Sequence, residues 1–216
     1  MERTIQFQKG ASVLTANGQQ IGALERVVLN PENKVVTDIV VRTGTLFSKA
    51  DKVVPIEYVV ETTENQVVLS NEAGELESFP PLEERHLVSE NADAAQQPAG
   101  IPPVVYGSPG FGPMLVPAPG EQIVTQIEQN IPVGTVAMKE GAKVISADGK
   151  HVGNVERVLA DPSVDQVTHL VISQGLFTKA NKLIPISYVM TVGEDTVHLR
   201  VKKVSVEDVD TTPFAG

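Results

Sequence analysis

The sequence contains no cysteine and no tryptophan, and aromatic residues make up only 4% of its 216 positions. Without cysteine, disulfide bonds, thiolate catalysis and cysteine-ligated zinc sites are excluded. Long apolar runs are also missing, because the longest, such as Ile39–Val41, are strand-sized and far short of the roughly 20 residues of a membrane span. The segment Met1–Phe7 lacks the apolar core of a signal peptide. We therefore expect a soluble cytoplasmic protein that does not insert into a membrane.

Basic residues are scarce relative to acidic ones. Lys and Arg total 17 against 27 Asp and Glu, which gives a formal net charge of −10 at pH 7. A chain of this charge is repelled by phosphate backbones unless its basic residues cluster in one stripe. The loops described below hold two lysines each and fall short of such a stripe, so binding to nucleic acid is disfavoured.

Two long segments of the chain resemble each other in residue order and spacing. They share glycines, turn dipeptides, a Glu-Arg pair, apolar strand patterns and a Leu-Phe-x-Lys-x-x-Lys loop. The matched pieces are Gly10–Leu14 with Gly141–Ile145, Ile21–Val27 with Val152–Val158, Val36–Val41 with Val167–Ile172, Leu46–Lys52 with Leu176–Lys182, and Pro55–Val59 with Pro185–Val189. Because the pattern occurs twice, it indicates a duplicated domain and not a solenoid.

Turn signals at equivalent positions predict how each repeat folds. Asn17-Gly18 and its equivalent Asp148-Gly149 predict β-hairpins with a type I′ turn, which needs positive φ at both central residues. Gly22 and Gly153, inside the strand that follows, predict a bulge or sharp bend. Many short strands with closely spaced turns indicate an all-β protein made of two small β-barrels.

Each repeat is small. About 70 residues is close to the lower limit for a self-sufficient hydrophobic core. We therefore expect the two barrels to pair within the chain with pseudo-two-fold symmetry, like a fused dimer, and self-association of the chain is the other arrangement that would bury more apolar surface.

A proline- and glycine-rich segment separates the repeats. Residues 91–138 hold 8 of the 15 prolines and no Lys or Arg, and such a run cannot form a continuous helix or a central strand. We place the first domain with its C-terminal tail at residues 1–90, the linker at 91–134 and the second domain at 135–216. The apolar residues of the linker, such as Tyr106 and Phe111, leave open a docked or recognition segment beside a plain connection.

The ordered set of motifs in both copies resembles the PRC-barrel family. It runs from Gly-x-x-Val through Asn/Asp-Gly and Glu-Arg-Val to Leu-Phe, Lys-x-x-Lys and Pro-Ile-x-Tyr-Val, and covers about residues 8–80 and 138–203. The segment Phe79–Arg85 is similar to the tail that follows the barrel in stand-alone bacterial members. Members include the cytoplasmic domain of the photosynthetic reaction-centre H subunit and the C-terminal domain of the ribosome maturation factor RimM.

The resemblance implies a non-enzymatic adaptor or scaffold that contacts another protein. It leaves two alternatives, a ribosome- or RNA-linked assembly factor and an accessory subunit of a photosynthetic membrane complex. The sequence shows neither an N-terminal membrane helix nor a separate N-terminal domain of the ribosome-factor type, which counts against both. We expect no catalytic residue, no cofactor and no metal, and the protein partner stays unidentified.

The Leu-Phe-x-Lys-x-x-Lys loops combine aromatic and basic groups, so they are the candidate protein-contact sites. Their aromatic residues would anchor a partner and their lysines would steer an acidic one. Alternatively, Leu and Phe close the end of each barrel and the lysines are solvated. The candidate residues are Leu46, Phe47, Lys49, Lys52, Leu176, Phe177, Lys179 and Lys182.

The repeated pairs Glu25-Arg26 and Glu156-Arg157 lie in the middle of predicted strands. Because neighbouring strand residues point to opposite faces, one member of each pair faces inward or towards a partner barrel. No second reactive group repeats beside either pair, so we interpret both as structural ion pairs with a neighbouring strand.

Overall fold

The computed structural model describes residues 5–45, 48–73, 76–89, 123–174 and 180–207. These residues form β-strands almost throughout, with short 3-10 turns and one short helix, α1 (Lys203–Glu207). The all-β prediction is therefore confirmed. Within these ranges no helix is both long and apolar enough to cross a membrane.

The first repeat supplies the greater part of one seven-stranded sheet. Its strands, preceded by β1 (Ile5–Gln8), are β2 (Ser12–Thr15), β3 (Gln20–Leu29), β4 (Val36–Thr45), β5 (Ser48–Pro55), β6 (Val59–Thr62) and β7 (Gln66–Leu69). The order in the sheet is β5-β4-β3-β2-β7-β6. β2 and β7 are parallel, and the other neighbours are antiparallel.

Two further strands, β8 (Glu83–Ser89) and β9 (Ile123–Gln129), form a separate two-stranded sheet. They belong to a second compact unit, residues 83–128, whereas the described residues before and after it form the first. β9 lies within the segment that the sequence analysis assigns to the linker. The sequence analysis did not predict this strand.

The second repeat repeats the topology of the first. Its strands are β10 (Val136–Lys139), β11 (Lys143–Ile145), β12 (His151–Asp161), β13 (Gln166–Gln174), β14 (Ala180–Pro185), β15 (Val189–Val192) and β16 (Thr196–Leu199). The order β14-β13-β12-β11-β16-β15 matches the first sheet strand for strand, again with one parallel pair, β11 with β16.

The two repeats exchange strands reciprocally. β1 of the first repeat pairs with β12 of the second, with Ile5 opposite Ala160, and β10 of the second pairs with β3 of the first, with Val136 opposite Leu29. The four residues occupy equivalent positions in the two copies, so the exchange has pseudo-two-fold symmetry. One hydrophobic core cluster contains residues of both sheets, including the fully buried Phe7 of β1.

A short crossing lies on the pseudo-two-fold axis. Val35 forms an antiparallel bridge with Gln166, its own equivalent in the other repeat. On either side, the Val36 amide donates to the Asp165 carbonyl at 2.8 Å and the Val167 amide donates to the Lys34 carbonyl at 2.9 Å. Backbone hydrogen bonds therefore join the repeats at this crossing as well as along the exchanged strands.

The hairpins form where the turn dipeptides predict them, but the predicted type I′ turn is wrong. Gly18 and Gly149 have φ of 79° and 74°. In the described ranges the positive-φ residues other than glycine are Lys34 and Asp165. The first residues of the two dipeptides, Asn17 and Asp148, therefore lack the positive φ that a type I′ turn needs. The Gly18 amide donates to the Thr15 carbonyl at 2.9 Å, and the Thr15 amide donates to the Gln19 carbonyl at 2.9 Å. This is a type I turn followed by a glycine bulge, which needs positive φ only at the glycine.

The predicted bulge at Gly22 is confirmed. Between Val13, opposite Gly22, and Leu14, opposite Gln20, the register shifts by one residue. A Cβ atom at Gly22 would lie 2.6 Å from the Arg42 carbonyl oxygen of β4. Glycine is needed here because two backbones approach closely.

Candidate functional site

Five of the eight candidate contact residues, Leu46, Phe47, Leu176, Phe177 and Lys179, lie outside the described residues. Lys49 is described and exposed on β5, opposite Gly44 of β4. Its exposure is common to both interpretations of the loop, a lysine that steers a partner and a solvated lysine.

Lys52 and Lys182 occupy equivalent positions in the two repeats, and both bind backbone carbonyls of the chain that follows the barrel. The Lys52 Nζ donates to the carbonyl of Phe79 at 2.7 Å and to that of Glu77 at 3.0 Å. Lys182 is 7% exposed, and its Nζ donates to the Val206 carbonyl at 3.1 Å. Each ammonium group therefore fastens the segment that follows the last strand of the repeat to its barrel, which neither sequence interpretation of these lysines includes.

The tail of the first repeat covers the outer edge of β5. The Val53 amide donates to the Pro80 carbonyl at 3.0 Å, and the Leu82 amide donates to the Asp51 carbonyl at 2.7 Å. Leu82 is buried in a small apolar cluster that also contains Val28, Val40 and Val53. Main-chain pairing and burial together protect this sheet edge, which would otherwise be open to pairing with another strand.

The Glu-Arg pairs form ion pairs both within and between the repeats. Glu25 binds Arg42 of the neighbouring strand β4 at 2.9 Å and Lys9 at 3.2 Å. Arg26 instead crosses to the other repeat, where it binds Glu194 in the turn between β15 and β16. Arg157, the equivalent of Arg26, binds Glu64 in the corresponding turn of the first repeat. Ion pairing with a neighbouring strand, as the sequence predicts, is confirmed for Glu25, whereas Arg26 and Arg157 pair across the repeats.

A groove of about 540 Å³ opens where β6 approaches β1. The Gln6 amide donates to the Thr62 Oγ1 at 2.9 Å and joins the two strands at one end. We call this groove the β6 groove. Its lining residues are Ile5, Ile56, Glu57, Val59, Val60, Glu61, Thr62, Pro162 and Asp165. Both repeats contribute, since Ile5 and β6 come from the first and Asp165 from the second.

The β6 groove is acidic. Glu57, Glu61 and Asp165 line it, and none of its described lining residues is Lys, Arg or His. Partial burial raises the pKa of Asp165, and the neighbouring Asp161 raises it further. Asp38, buried near Glu57, also has a pKa raised mainly by burial. The electrostatic potential of the groove therefore favours a cation.

A buried carboxyl group lies near the strand exchange but does not line the groove. Glu140, in the turn after β10, is 6% exposed, and burial raises its pKa to about 9. Lys9, its equivalent in the first repeat, opposes this shift, whereas Glu156 and Glu25 add to it. Because Glu140 is protonated at neutral pH, it contributes no charge to a binding surface. In the described parts of the chain no cluster of three acidic or histidine side chains could hold a metal ion.

Sequence reasoning did not predict the β6 groove, because its walls come from Ile5, residues 56–62 and residues 162–165. No local pattern connects segments so far apart. The one available signal was a difference between the copies: the positions of Glu57, Glu61 and Asp165 in one groove correspond to Ser187, Thr191 and Lys34.

Comparison with known proteins identifies the domains. The family model of the PRC-barrel domain matches residues 9–76 and 140–206, which together make up more than half of the chain. No curated protein matches the sequence. The two matches coincide with the two sheets and with the two repeats, so the chain belongs to the PRC-barrel family and contains two copies of its domain.

Proposed function

We propose that the protein is a non-enzymatic adaptor or scaffold that holds partner proteins on a body made of two PRC barrels. The family suggests a protein-interaction or assembly role. The observation that carries the proposal is the reciprocal exchange of β1 and β10. It fixes two copies of every barrel surface in one body, and a scaffold needs such a fixed presentation.

The loops that follow β4 and β13 are the proposed contact surface. Lys49 is exposed beside the first of these loops, whereas Lys52 and Lys182 are engaged with backbone carbonyls. We assign the steering role to Lys49, with the aromatic anchors Phe47 and Phe177 proposed from the sequence. A partner with an acidic surface fits this arrangement.

A site-specific crosslink tests the proposal. A photoreactive amino acid replaces Lys49 in one chain and Val133, an exposed residue of the segment before β10, in a matched control. Both chains are irradiated in lysate of the native organism, with and without nuclease. We expect one dominant protein adduct from position 49 and none from position 133.

Four outcomes would contradict the proposed adaptor role or its contact surface. Equal adducts from both positions indicate non-specific proximity, and no adduct from either removes the loop as a contact surface. Adducts with ribosomal proteins that disappear on nuclease treatment favour the RNA-linked assembly role. Adducts with a pigment-binding membrane subunit favour the accessory role, and they keep the loop as the contact surface.

A further inference from the structure

The two repeats differ in charge at one pair of equivalent surfaces. In the β6 groove, Glu57, Glu61 and Asp165 are acidic. The equivalent positions of the pseudo-symmetric surface carry no acid, because they are occupied by Ser187 and Thr191 of the second repeat and Lys34 of the first. Near Lys34 lies a second cation, Arg200, whose charge lowers the pKa of Lys34 in addition to the larger effect of burial. Pseudo-symmetry of the backbone therefore places an acidic surface at one position and a basic one at the other.

Apolar side chains accompany the carboxylates of the β6 groove. Ile5, Ile56 and Val59 line it, and Val60 in the bulge of β6 is 59% exposed. Lys and Arg side chains bury their aliphatic stems against such surfaces while their charged ends stay at the rim. The volume of about 540 Å³ lies within the range of roughly 300–1,000 Å³ that is typical of ligand pockets.

We propose that the β6 groove binds an extended basic segment of a partner protein. Its Lys or Arg head groups pair with Glu57, Glu61 and Asp165, and their stems pack on Ile5 and Val60. Charge complementarity selects this occupant, since acidic peptides and nucleic acids are repelled by three carboxylates. The exposed apolar surface favours a peptide over a free polyamine, because a peptide also carries apolar side chains that can cover Val60.

This inference adds a second surface to the proposed adaptor and does not depend on the first. Failure of the crosslink at position 49 would remove the loop contact and leave the groove intact. Failure of the peptide measurement below would remove the groove and leave the loop contact intact.

Peptide binding by the full-length chain tests the proposal. The probe is a short fluorescein-labelled peptide that alternates lysine with leucine, measured by fluorescence anisotropy at low ionic strength. A second peptide with glutamate in place of lysine is the control. We expect saturable binding of the lysine peptide at one site per chain and none of the glutamate peptide. Added salt should weaken the binding, because exposed ion pairs are screened.

Equivalent substitutions in the other repeat provide the matched control. The double variant Glu57→Gln/Glu61→Gln should weaken binding about tenfold, since it removes two exposed ion pairs. Ser187→Ala/Thr191→Val should leave the affinity within about twofold. All four residues are exposed or half-buried, so thermal unfolding should show both variants folded.

A second pair of variants tests the apolar part of the groove. Val60→Ser should weaken binding, whereas Met190→Ser, at the equivalent position and 56% exposed, should not. The proposal is overturned if both double variants lose affinity equally, because net charge alone then explains binding. It is also overturned if binding does not saturate, if a free polyamine competes at the same concentration as the peptide, or if the chain is a dimer whose second copy fills the groove.

Discussion

Arg26 and Glu194 belong to different repeats, yet the guanidinium of Arg26 donates a hydrogen bond to the Glu194 carboxylate. Arg26 also lies opposite Lys139 in the register between β3 and β10, so the ion pair marks the end of an exchanged strand. The equivalent pair, Arg157 with Glu64, marks the end of the other exchange, where Gln8 lies opposite Arg157. Two symmetric ion pairs therefore secure the strands that join the repeats.

Removing one of these arginines should destabilise the protein. Arg26→Gln should lower the free energy of unfolding by about 1–3 kcal/mol, because the Arg26 side chain is largely buried and its loss leaves Glu194 with the more distant Lys139, at 3.5 Å, as its cation. Urea denaturation measures the change, and a double-mutant cycle with Glu194→Gln isolates the pair. Lys150→Gln, which removes an exposed ion pair with Asp148, is the control and should cost less than about 0.5 kcal/mol. An Arg26 effect as small as the control would show that the pair does not secure the exchange.

Strand exchange predicts that the repeats stay together after the chain is cut between them. A specific protease site inserted into the proline-rich segment 98–119 allows the cut in the folded protein. The fragments should co-elute in size-exclusion chromatography, because β1 and β10 each complete the sheet of the other repeat. Denaturing electrophoresis controls for complete cleavage.

β8 and β9 also lie on opposite sides of that cut and pair with each other. A cleaved chain that lacks residues 1–8 separates the contribution of β1 from that of β8 and β9, because it loses β1 and keeps the other two strands. On dilution, we expect its fragments to dissociate at a higher concentration than the fragments of the cleaved chain that keeps β1. Equal dissociation of the two cleaved chains would show that β1 does not contribute to the association.

The sequence predicts the barrels better than their connection. Local turn chemistry at Gly18 and the backbone approach at Gly22 are encoded within a few residues, so the hairpin and the bulge could be predicted. The repeat pattern begins at Gly10 and Gly141, after the exchanged strands, and a four-residue strand such as β1 gives too short an alternation to recognise. Its partner, β12, is some 150 residues away in sequence, and a single sequence contains no signal for such a pairing.

The candidate site was predictable only in part, for the same reason. The last lysine of each loop, Lys52 or Lys182, is visible in the sequence. The acceptors of Lys52, however, are the backbone carbonyls of Glu77 and Phe79. Every residue has a carbonyl, so residue identity does not indicate which one a lysine will reach. The aromatic–basic pattern alone predicted a contact role for Lys52, whereas its position in the fold shows a bond to the tail.

Gly22 and Gly153 should not tolerate a side chain. A Cβ atom would lie 2.6 Å from the Arg42 carbonyl oxygen in one repeat and 2.5 Å from that of Ser173 in the other. Gly22→Ala and Gly153→Ala should each cost about 1–3 kcal/mol of stability, because neighbouring strands must move apart. Gly193→Ala, where the nearest atom is 3.2 Å away, is the control and should cost less in the same urea titration. Equal costs at all three positions would point to loss of backbone freedom and not to close approach.

Glu140 should contribute a loss of stability as the pH rises. Burial raises the pKa of this carboxyl from 4.5 to about 9. Between those two values the folded chain holds a proton that the unfolded chain releases, so each rise in pH favours unfolding. Below pH 4.5 both states are protonated and the group has no effect. The loss of stability accumulates across this window and levels off above the folded pKa.

Glu140→Gln tests this relationship, because glutamine has the shape of the protonated acid and does not titrate. The variant should gain about 1–3 kcal/mol over the parent chain at pH 8, and its free energy of unfolding should depend less on pH between 6 and 9. Urea titrations across that range measure both, with Glu72→Gln, an exposed carboxylate, as the control. Parallel pH profiles for the parent and the Glu140 variant would mean that Lys9 and Arg157 keep Glu140 ionised.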